Sequence, residues 1–457
     1  MVILFLGLEM SNIANLFFPP AISGVLCPKK TISSIKNITL SKFQVYQNKF
    51  TVRQYSSLTC GDDKFYEWFC GITDGEGCFR IERGRGETFQ FIFKILLHID
   101  DIDMLYYIKD RLGIGSVKNY GNTAHFVVTS QNHLGKIINI FSDFPLKSTK
   151  FLNYLEFKRA FELYINSKNK TKDLSLEIEK IKNTMNRGRL DFQLPEGHCP
   201  IITSYWLLGF VEGEGSFHLD RSSNRLIFNI TLSGHDLALL EAIKDFLYNL
   251  PEVESSSNLN KASIMIYVAK SSTKAVHLSI KNTEFIKSVI IPFFSSMVWQ
   301  SKKLLDFQDW VLVFKLKEKG HHYTDQGLRL IELILSQMNN NRLSTSKAAR
   351  VDRALLHADI HRMLSGPSNY EIKGDRIYIK SLNKYLSSPK AKVVQLVDNQ
   401  SGETLQTFTS LTACAKSLGM AQSTVWVKYT KGESFLFNNK LVKIKREVPS
   451  PGGATTN

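Results

Sequence analysis

The amino-acid sequence predicts an α+β protein built from two copies of one αββαββα unit, followed by a small hairpin and helix-turn-helix module. Two observations carry this. A short acid-glycine motif occurs twice: residues 71–79 read GITDGEGCF and residues 209–217 read GFVEGEGSF, so that Glu214 follows Glu76 by 138 positions. After each copy the same order of strand-like and helix-like segments follows. The length of 457 residues accommodates two to four structural units with real cores.

In the first copy the apolar run Phe65–Cys70 leads into the motif as a helix, and 78–82 reads as a strand. A turn at Gly84-Arg85-Gly86 precedes a second strand over 89–98, rich in Phe and Ile. Ile102, Leu105, Ile108 and Leu112 recur at helical spacing, and Gly113-Ile114-Gly115 ends that helix. Short strands are expected at 116–120 and 125–130, then helices at 131–142 and 150–166. The second copy predicts strands at 216–220 and 226–232, a helix at 236–250 and a strand at 263–269. Helical stretches are expected near 271–280 and over 301–316. Residues 167–200, rich in Lys, Asn and Glu with Pro195 and Pro200 around Gly197, read as a linker. From 317 to 390 the chain reads as a basic helical extension. From 391 to 446 it reads as a hairpin around Asn399-Gln400-Ser401-Gly402, then helices at 410–418 and 421–429 about Gly419, the second capped near Gln422 or Ser423. Residues 1–60 read as a leader outside the fold, and 447–457 as a disordered tail.

Lys and Arg outnumber Asp and Glu 58 to 42, a formal charge of +16. That balance favours a polyanionic partner, usually nucleic acid. No uninterrupted apolar run is long enough to cross a bilayer, so no membrane role is expected. The six cysteines form no C-x-x-C pair and no zinc spacing, and read as reduced thiols, Cys70 and Cys78 as packing residues. From Met10 to Gly61 there is no Asp or Glu, while Lys, Ser and Thr recur. Such a leader resembles an organellar transit peptide; the alternative is a remnant of translation inside the organelle.

The motif itself reads as the end of a buried helix. Residues 65–73 and 204–211 are apolar nearly all round, so each helix needs a partner, and each is the obvious partner of the other. Gly71, Gly75, Gly209 and Gly213 allow backbones to approach closely. Pairing would bring Glu76 and Glu214 side by side, where two carboxylates repel unless a cation compensates. Hard oxygen ligands suit Mg²⁺ (or Mn²⁺), and such an ion among carboxylates and phosphate oxygens supports phosphodiester hydrolysis. Asp74 and Glu212 read instead as holding the helix ends. His321-His322 lacks the spacing for one metal on a helix and reads as a surface pair or a pair contacting RNA or DNA.

The segments 69–77 and 207–215 resemble the motif that names the LAGLIDADG homing endonucleases, in their single-chain, two-motif form. Residues 97–102 and 320–328 look like versions from fungal mitochondrial introns, so that the resemblance covers about 60–370. Residues 391–446 resemble the small modular DNA-binding domains appended to intron-encoded nucleases. The resemblance implies that the strands form a saddle over the major groove and that both DNA strands are cut across the minor groove, leaving short 3′ overhangs. It implies metal binding by Glu76 and Glu214 and an active-site lysine in each half, Lys150 and Lys303, with Lys147 as a competitor. Candidate base-reading residues are Arg80, Glu82, Arg83, Arg85, Gln90 and Lys94 in the first half, and His218, Asp220, Arg221, Arg225 and Asn229 in the second; phosphate contacts or a solvated face are the alternatives. A polar position after the second strand falls near His98 in one half and at Leu232 in the other. Leucine cannot position a water, which leaves room for a second reading, an RNA maturase that helps its host intron splice. The expected partners are thus double-stranded DNA with a long asymmetric site, or host intron RNA, met by a monomer in the mitochondrion.

Overall fold

The computed structural model describes residues 60–254, 259, 261–269, 274–374, 376–386, 393–438 and 440–446. The chain divides after Ser57, and all of these belong to the second unit. The leader and tail expectations lie outside the described residues.

The first repeat runs α1 (Cys60–Glu76), β1 (Gly77–Arg83), β2 (Phe89–His98), α2 (Ile102–Leu112), β3 (Ser116–Tyr120), β4 (Thr123–Val128), α3 (Gln131–Asp143), α4 (Lys150–Asn166) and α5 (Lys172–Asn183). The second runs α6 (Ser204–Glu214), β5 (Gly215–Asp220), β6 (Arg225–Leu232), α7 (Leu237–Tyr248), α8 (Pro251–Glu254), β7 (Ile264–Val268) and β8 (Val276–Ile280). It continues through α9 (Thr283–Phe285), a π turn over Ile286–Ile290, α10 (Ile291–Ser295), α11 (Lys303–Glu318) and α12 (Asp325–Leu335). Each repeat forms a four-stranded antiparallel sheet, β1-β2-β4-β3 and β5-β6-β8-β7. One face of each packs on its helices through residues such as Phe79, Phe91 and Phe93, or Phe217, Phe228 and Ile230, all buried. The other face is uncovered by those helices.

Three expectations change. The stretch expected to be helical near 271–280 supplies β8: Val276, Leu278 and Ile280 alternate inward as a half-buried strand does, and pair with β6 and β7. The linker contains α5, and the basic extension contains its counterpart α12. Thr171 caps α5 by accepting from the Leu174 amide, as Thr324 caps α12 by accepting from the Gly327 amide. The repeat is therefore one helix longer than expected. The extension is also not wholly helical. After α13 (Arg353–Ser365) comes a sheet of β9 (Tyr370–Lys373), β10 (Arg376–Ile379) and β11 (Lys384–Tyr385).

The C-terminal module has its own core, including Val394, Leu396, Cys414, Val425 and Val442. Its hairpin β12 (Val394–Asp398) and β13 (Thr404–Phe408) leads to α14 (Leu411–Ser417) and α15 (Gln422–Lys431). Two further strands, β14 (Phe435–Phe437) and β15 (Lys440–Arg446), complete a sheet ordered β13-β12-β15-β14. Neither Gln422 nor Ser423 caps α15; the cap position is Ala421.

Candidate active site

The helices α1 and α6 cross backbone to backbone. A Cβ added at Gly71 would lie 2.0 Å from the Trp206 carbonyl oxygen, and one at Gly209 would lie 2.2 Å from that of Trp68. No side chain larger than glycine fits this approach. A turn later, a Cβ on Gly213 would sit 3.4 Å from the Gly75 Cα and 3.3 Å from the Glu76 Cγ. Glu76 and Glu214 thus terminate two helices at the point where those helices touch.

The pair is locked by contacts that cross between repeats. Trp68 Nε1 donates to Glu212 Oε2 at 2.6 Å, and Trp206 Nε1 donates to Asp74 Oδ2 at 2.8 Å. Asp74 also accepts from the Lys147 and Ser148 amides and from Ser148 Oγ; Glu212 accepts from the Gln300 and Ser301 amides and from Ser301 Oγ. Both acids are buried and saturated with donors, as expected of structural groups. Burial pushes the Glu212 carboxyl up, and its hydrogen bonds oppose that shift. Lys147 joins this lock through its amide, and its Nζ lies 5.7 Å from the Trp206 ring centroid.

Lys150 and Lys303 occupy matching places. Lys150 Nζ donates to the carbonyls of Thr73 (3.0 Å) and Gly75 (2.8 Å); Lys303 Nζ donates to those of Val211 (3.0 Å), Gly213 (3.0 Å) and Gly215 (2.7 Å). Each ammonium sits on the negative, C-terminal end of a motif helix, α1 for Lys150 and α6 for Lys303, beside the glutamates. Burial holds both lysines below the ordinary range, while Glu76 and Glu214 oppose the shift. Burial pushes the Glu76 carboxyl up, against the pull of Lys150 and Lys303. Glu214 is pushed up by burial and then by Glu76 itself.

Two clefts flank the helix pair, and both repeats contribute to each. One is lined by Gly75 and Lys150 with Glu214, Ser233 and Asp236; the other by Asp100 and Asp101 with Gly215 and Lys303. Asp236 accepts from the Thr149 amide (2.7 Å) and hydroxyl, next to Lys150; Asp101 accepts from the Lys302 amide (2.7 Å), next to Lys303. Each repeat thereby positions the other's lysine. Sequence reasoning missed Asp101, Asp236, Trp68 and Trp206, because only the helix crossing shows that their partners are in the other repeat.

Among the described residues no group of three or more His, Cys, Asp and Glu side chains forms a metal cage. Two carboxylates brought together at helix ends are hard oxygen donors whose mutual repulsion a divalent cation relieves. That donor chemistry fits Mg²⁺ or Mn²⁺, with the remaining ligands left to phosphate oxygens and water.

The register corrects the reading of Leu232. Gly77 pairs with Ile95 and Gly215 with Ile230, so Leu97 corresponds to Leu232, and His98 to Ser233. Both leucines have the parity of the core face. His98 and Ser233 each cap the next 3-10 turn with a side-chain acceptor, at nearly identical φ and ψ. The second half therefore does carry a polar residue at that place.

The open sheet faces hold Arg80, Glu82, Gln90 and Lys94 in the first half, and His218, Asp220, Arg225 and Asn229 in the second, as their alternation with buried neighbours requires. Half-buried Cys78 shares the first face. Arg83 has core-face parity at the exposed end of β1, where it pairs with Glu87 (3.4 Å). Arg85 lies in the turn after β1, and Arg221 in the turn after β5, paired with Glu332 (3.1 Å). These three are not on the open face. The His321-His322 pair is no surface feature either: His321 is buried, and burial pushes His322 down to about 4.

Comparison with known proteins gives one consistent picture. The family model described as "LAGLIDADG endonuclease" matches residues 69–161 and 207–314. The chain is 30% identical over 292 residues to "Uncharacterized mitochondrial protein RF1" of Saccharomyces cerevisiae, covering 61% of each chain. It is 33% identical over 217 residues to "Probable intron-encoded endonuclease Cox1-I1b" of Schizosaccharomyces pombe, covering 45% of this chain and 56% of that one. The chain thus spans less than two thirds of these relatives' length. Among solved structures, the LAGLIDADG homing endonuclease I-GzeII in complex with its DNA target matches with a TM-score of 0.53 at 26% identity, covering 60% of this chain and 99% of that one. Meganuclease I-SmaMI bound to uncleaveable DNA matches with a TM-score of 0.54 at 25% identity, covering 61% and 98%. With both motif helices, both sheets and this run of matches in place, residues 69–161 and 207–314 are two LAGLIDADG endonuclease domains carried on a single chain.

Proposed function

We propose that this protein is a site-specific, divalent-metal-dependent double-strand DNA endonuclease, intron-encoded and acting in the mitochondrion. The observation that carries the reading is the meeting of Glu76 and Glu214 at the ends of crossed helices, beside two sheets with open faces. Glu76 and Glu214 hold the cation, which when bound supplies a more acidic water and neutralises charge on a leaving oxygen. Lys150 and Lys303 hold positive charge against helix ends and beside the scissile phosphates. Arg80, Gln90, Lys94, His218, Arg225 and Asn229 face the DNA, while Arg83 at the end of β1 and Arg85 and Arg221 in the turns reach its backbone. One chain supplies both halves, so a monomer suffices, and because the halves differ the target is asymmetric. The C-terminal module, with Lys428 and Lys431 on α15, adds contacts to flanking DNA. The maturase reading rested on Leu232, and the register removes that motive.

The test is selection of cleaved sites from a library built around intronless mitochondrial genes. One long asymmetric site should emerge with the wild-type protein, and none with Glu76→Gln or Glu214→Gln, although both variants still bind the selected site. Recovery of no cleaved site, or wild-type cutting by either variant, would overturn the reading.

A further inference from the structure

The two repeats build the same groove and line it with different charge. In the first, the edge strand β1 faces the 3-10 turn Asn186–Gly188, and Arg80, Lys182 and Arg187 line the space between them beside Cys78. The supporting frame recurs in the second repeat almost atom for atom. Asn186 Nδ2 donates to the Phe79 carbonyl at 3.0 Å, and Asn339 Nδ2 donates to the Phe217 carbonyl at 3.2 Å. Asn186 and Asn339 both have positive φ, 52° and 55°. Their amides donate to Asn153 and Asp306, each at 2.9 Å, and those same oxygens accept from Arg189 Nε and Arg342 Nε. Met185 and Met338 are both buried beneath.

Within that shared frame, Arg80, Lys182 and Arg187 are replaced by His218, Leu335 and Asn340. The frame holds without the cations, so folding does not require them. The acids beside them do recur: Glu82 corresponds to Asp220, and Glu179 to Glu332. In the first half Arg80 pairs with Glu82 (2.8 Å) and Lys182 with Glu179 (2.7 Å). These partly exposed pairs are each worth no more than about 1 kcal/mol, so both cations are free to turn to a stronger anion. Arg187 is exposed. The groove begins at Cys78, two residues along β1 from Glu76.

Resting on the endonuclease reading, we propose that this groove is a phosphate clamp present only in the first half. Through it the first repeat adds a salt-dependent share of affinity that the matching groove of the second does not, and keeps its end of the cut DNA after the second repeat has released its own. Guanidinium and ammonium groups are the phosphate-binding chemistry, and they carry no sequence information. At the matching place the second repeat presents the neutral His218 and Asn340 instead, and neutral donors and acceptors continue onto its open sheet face. Asn229 Nδ2 donates to Thr231 Oγ1 (2.8 Å), which bonds His277 Nδ1 (2.9 Å), and the His277 ring stacks on Tyr267.

The experiment titrates salt against binding of a fluorescent random-sequence duplex by the full chain, in Ca²⁺. Removing one cation that neutralises a phosphate lowers the slope of log affinity against log salt by about 0.9. Arg80→Gln/Lys182→Gln/Arg187→Gln should lower it by roughly 2 to 3, with at least a tenfold loss of affinity. The charge-retaining Arg80→Lys/Arg187→Lys should keep the slope. Asn340→Arg, which places a cation in the second groove, should raise it, and Asn340→Gln should leave it alone. If the triple variant fails to fold, Arg187→Gln alone should still lower the slope by about 0.9. An unchanged slope in the folded triple variant, or in Arg187→Gln, overturns the clamp while leaving the endonuclease reading intact. A wild-type protein that binds duplex without salt dependence overturns both.

Discussion

Among single residues Glu76 and Glu214 stand out: burial holds both carboxyls above the ordinary range, and for Glu214 its neighbour Glu76 adds to the shift. A carboxyl with a raised folded-state pKa binds protons more readily folded than unfolded. Its favourable contribution is present at low pH and is lost as pH rises through the raised value. A divalent cation held by the ionised pair would reverse this. The increase in melting temperature on adding Mg²⁺ should therefore be small near pH 5 and larger near pH 8. Saturation about a hundredfold above Kd corresponds to about 2.7 kcal/mol. Differential scanning fluorimetry across that range checks it; an equal increase at both ends would detach the cation from these carboxylates. The two glutamates were legible in the sequence because their spacing to two glycines repeats. Asp101 and Asp236 were not, since an acid after a strand reads as a cap until the other repeat is seen to use it.

At the scale of elements the decisive feature is the crossing of α1 and α6. Gly71→Ala or Gly209→Ala would drive a methyl into a facing carbonyl, and backbone cannot move aside as a side chain tip does. Each substitution should cost about 3 kcal/mol, read as a lower denaturation midpoint and a matching loss of cleavage. Alanine at Gly135, whose Cβ would meet nothing, is the control. A midpoint unchanged by Gly71→Ala would mean that the helices do not approach as described. The strand pattern told which side chains face outward, because alternation with Phe79, Phe91 and Phe217 leaves little choice. It did not place 276–280, where Val276, Leu278 and Ile280 alternate with His277 and Ser279 over only five residues, too few for the period of two to stand out, and pairing with β6 decides. The extra helix of each repeat was legible in principle: MNRGR at 185–189 and MNNNR at 338–342 begin 13 residues after the first residues of α5 and α12, Lys172 and Asp325.

For the molecule as a whole, duplication explains both what is shared and what differs. The locks Trp68 to Glu212 and Trp206 to Asp74, and the mutual support of the lysine segments, make one repeat incomplete without the other. Divergence of the uncovered surfaces then costs the fold little, which is how the first groove carries three cations that the second lacks. The charge of +16 announced a polyanionic partner, but its uneven distribution needed the fold. The most direct test of the central claim, that Glu76 and Glu214 jointly hold a divalent cation, is Mn²⁺ binding followed by electron paramagnetic resonance on the complex with the selected DNA site. The wild-type complex should retain Mn²⁺ through gel filtration, and Glu76→Gln/Glu214→Gln should release it while staying on the DNA. Equal Mn²⁺ retention by that double variant would place the metal elsewhere and contradict the account.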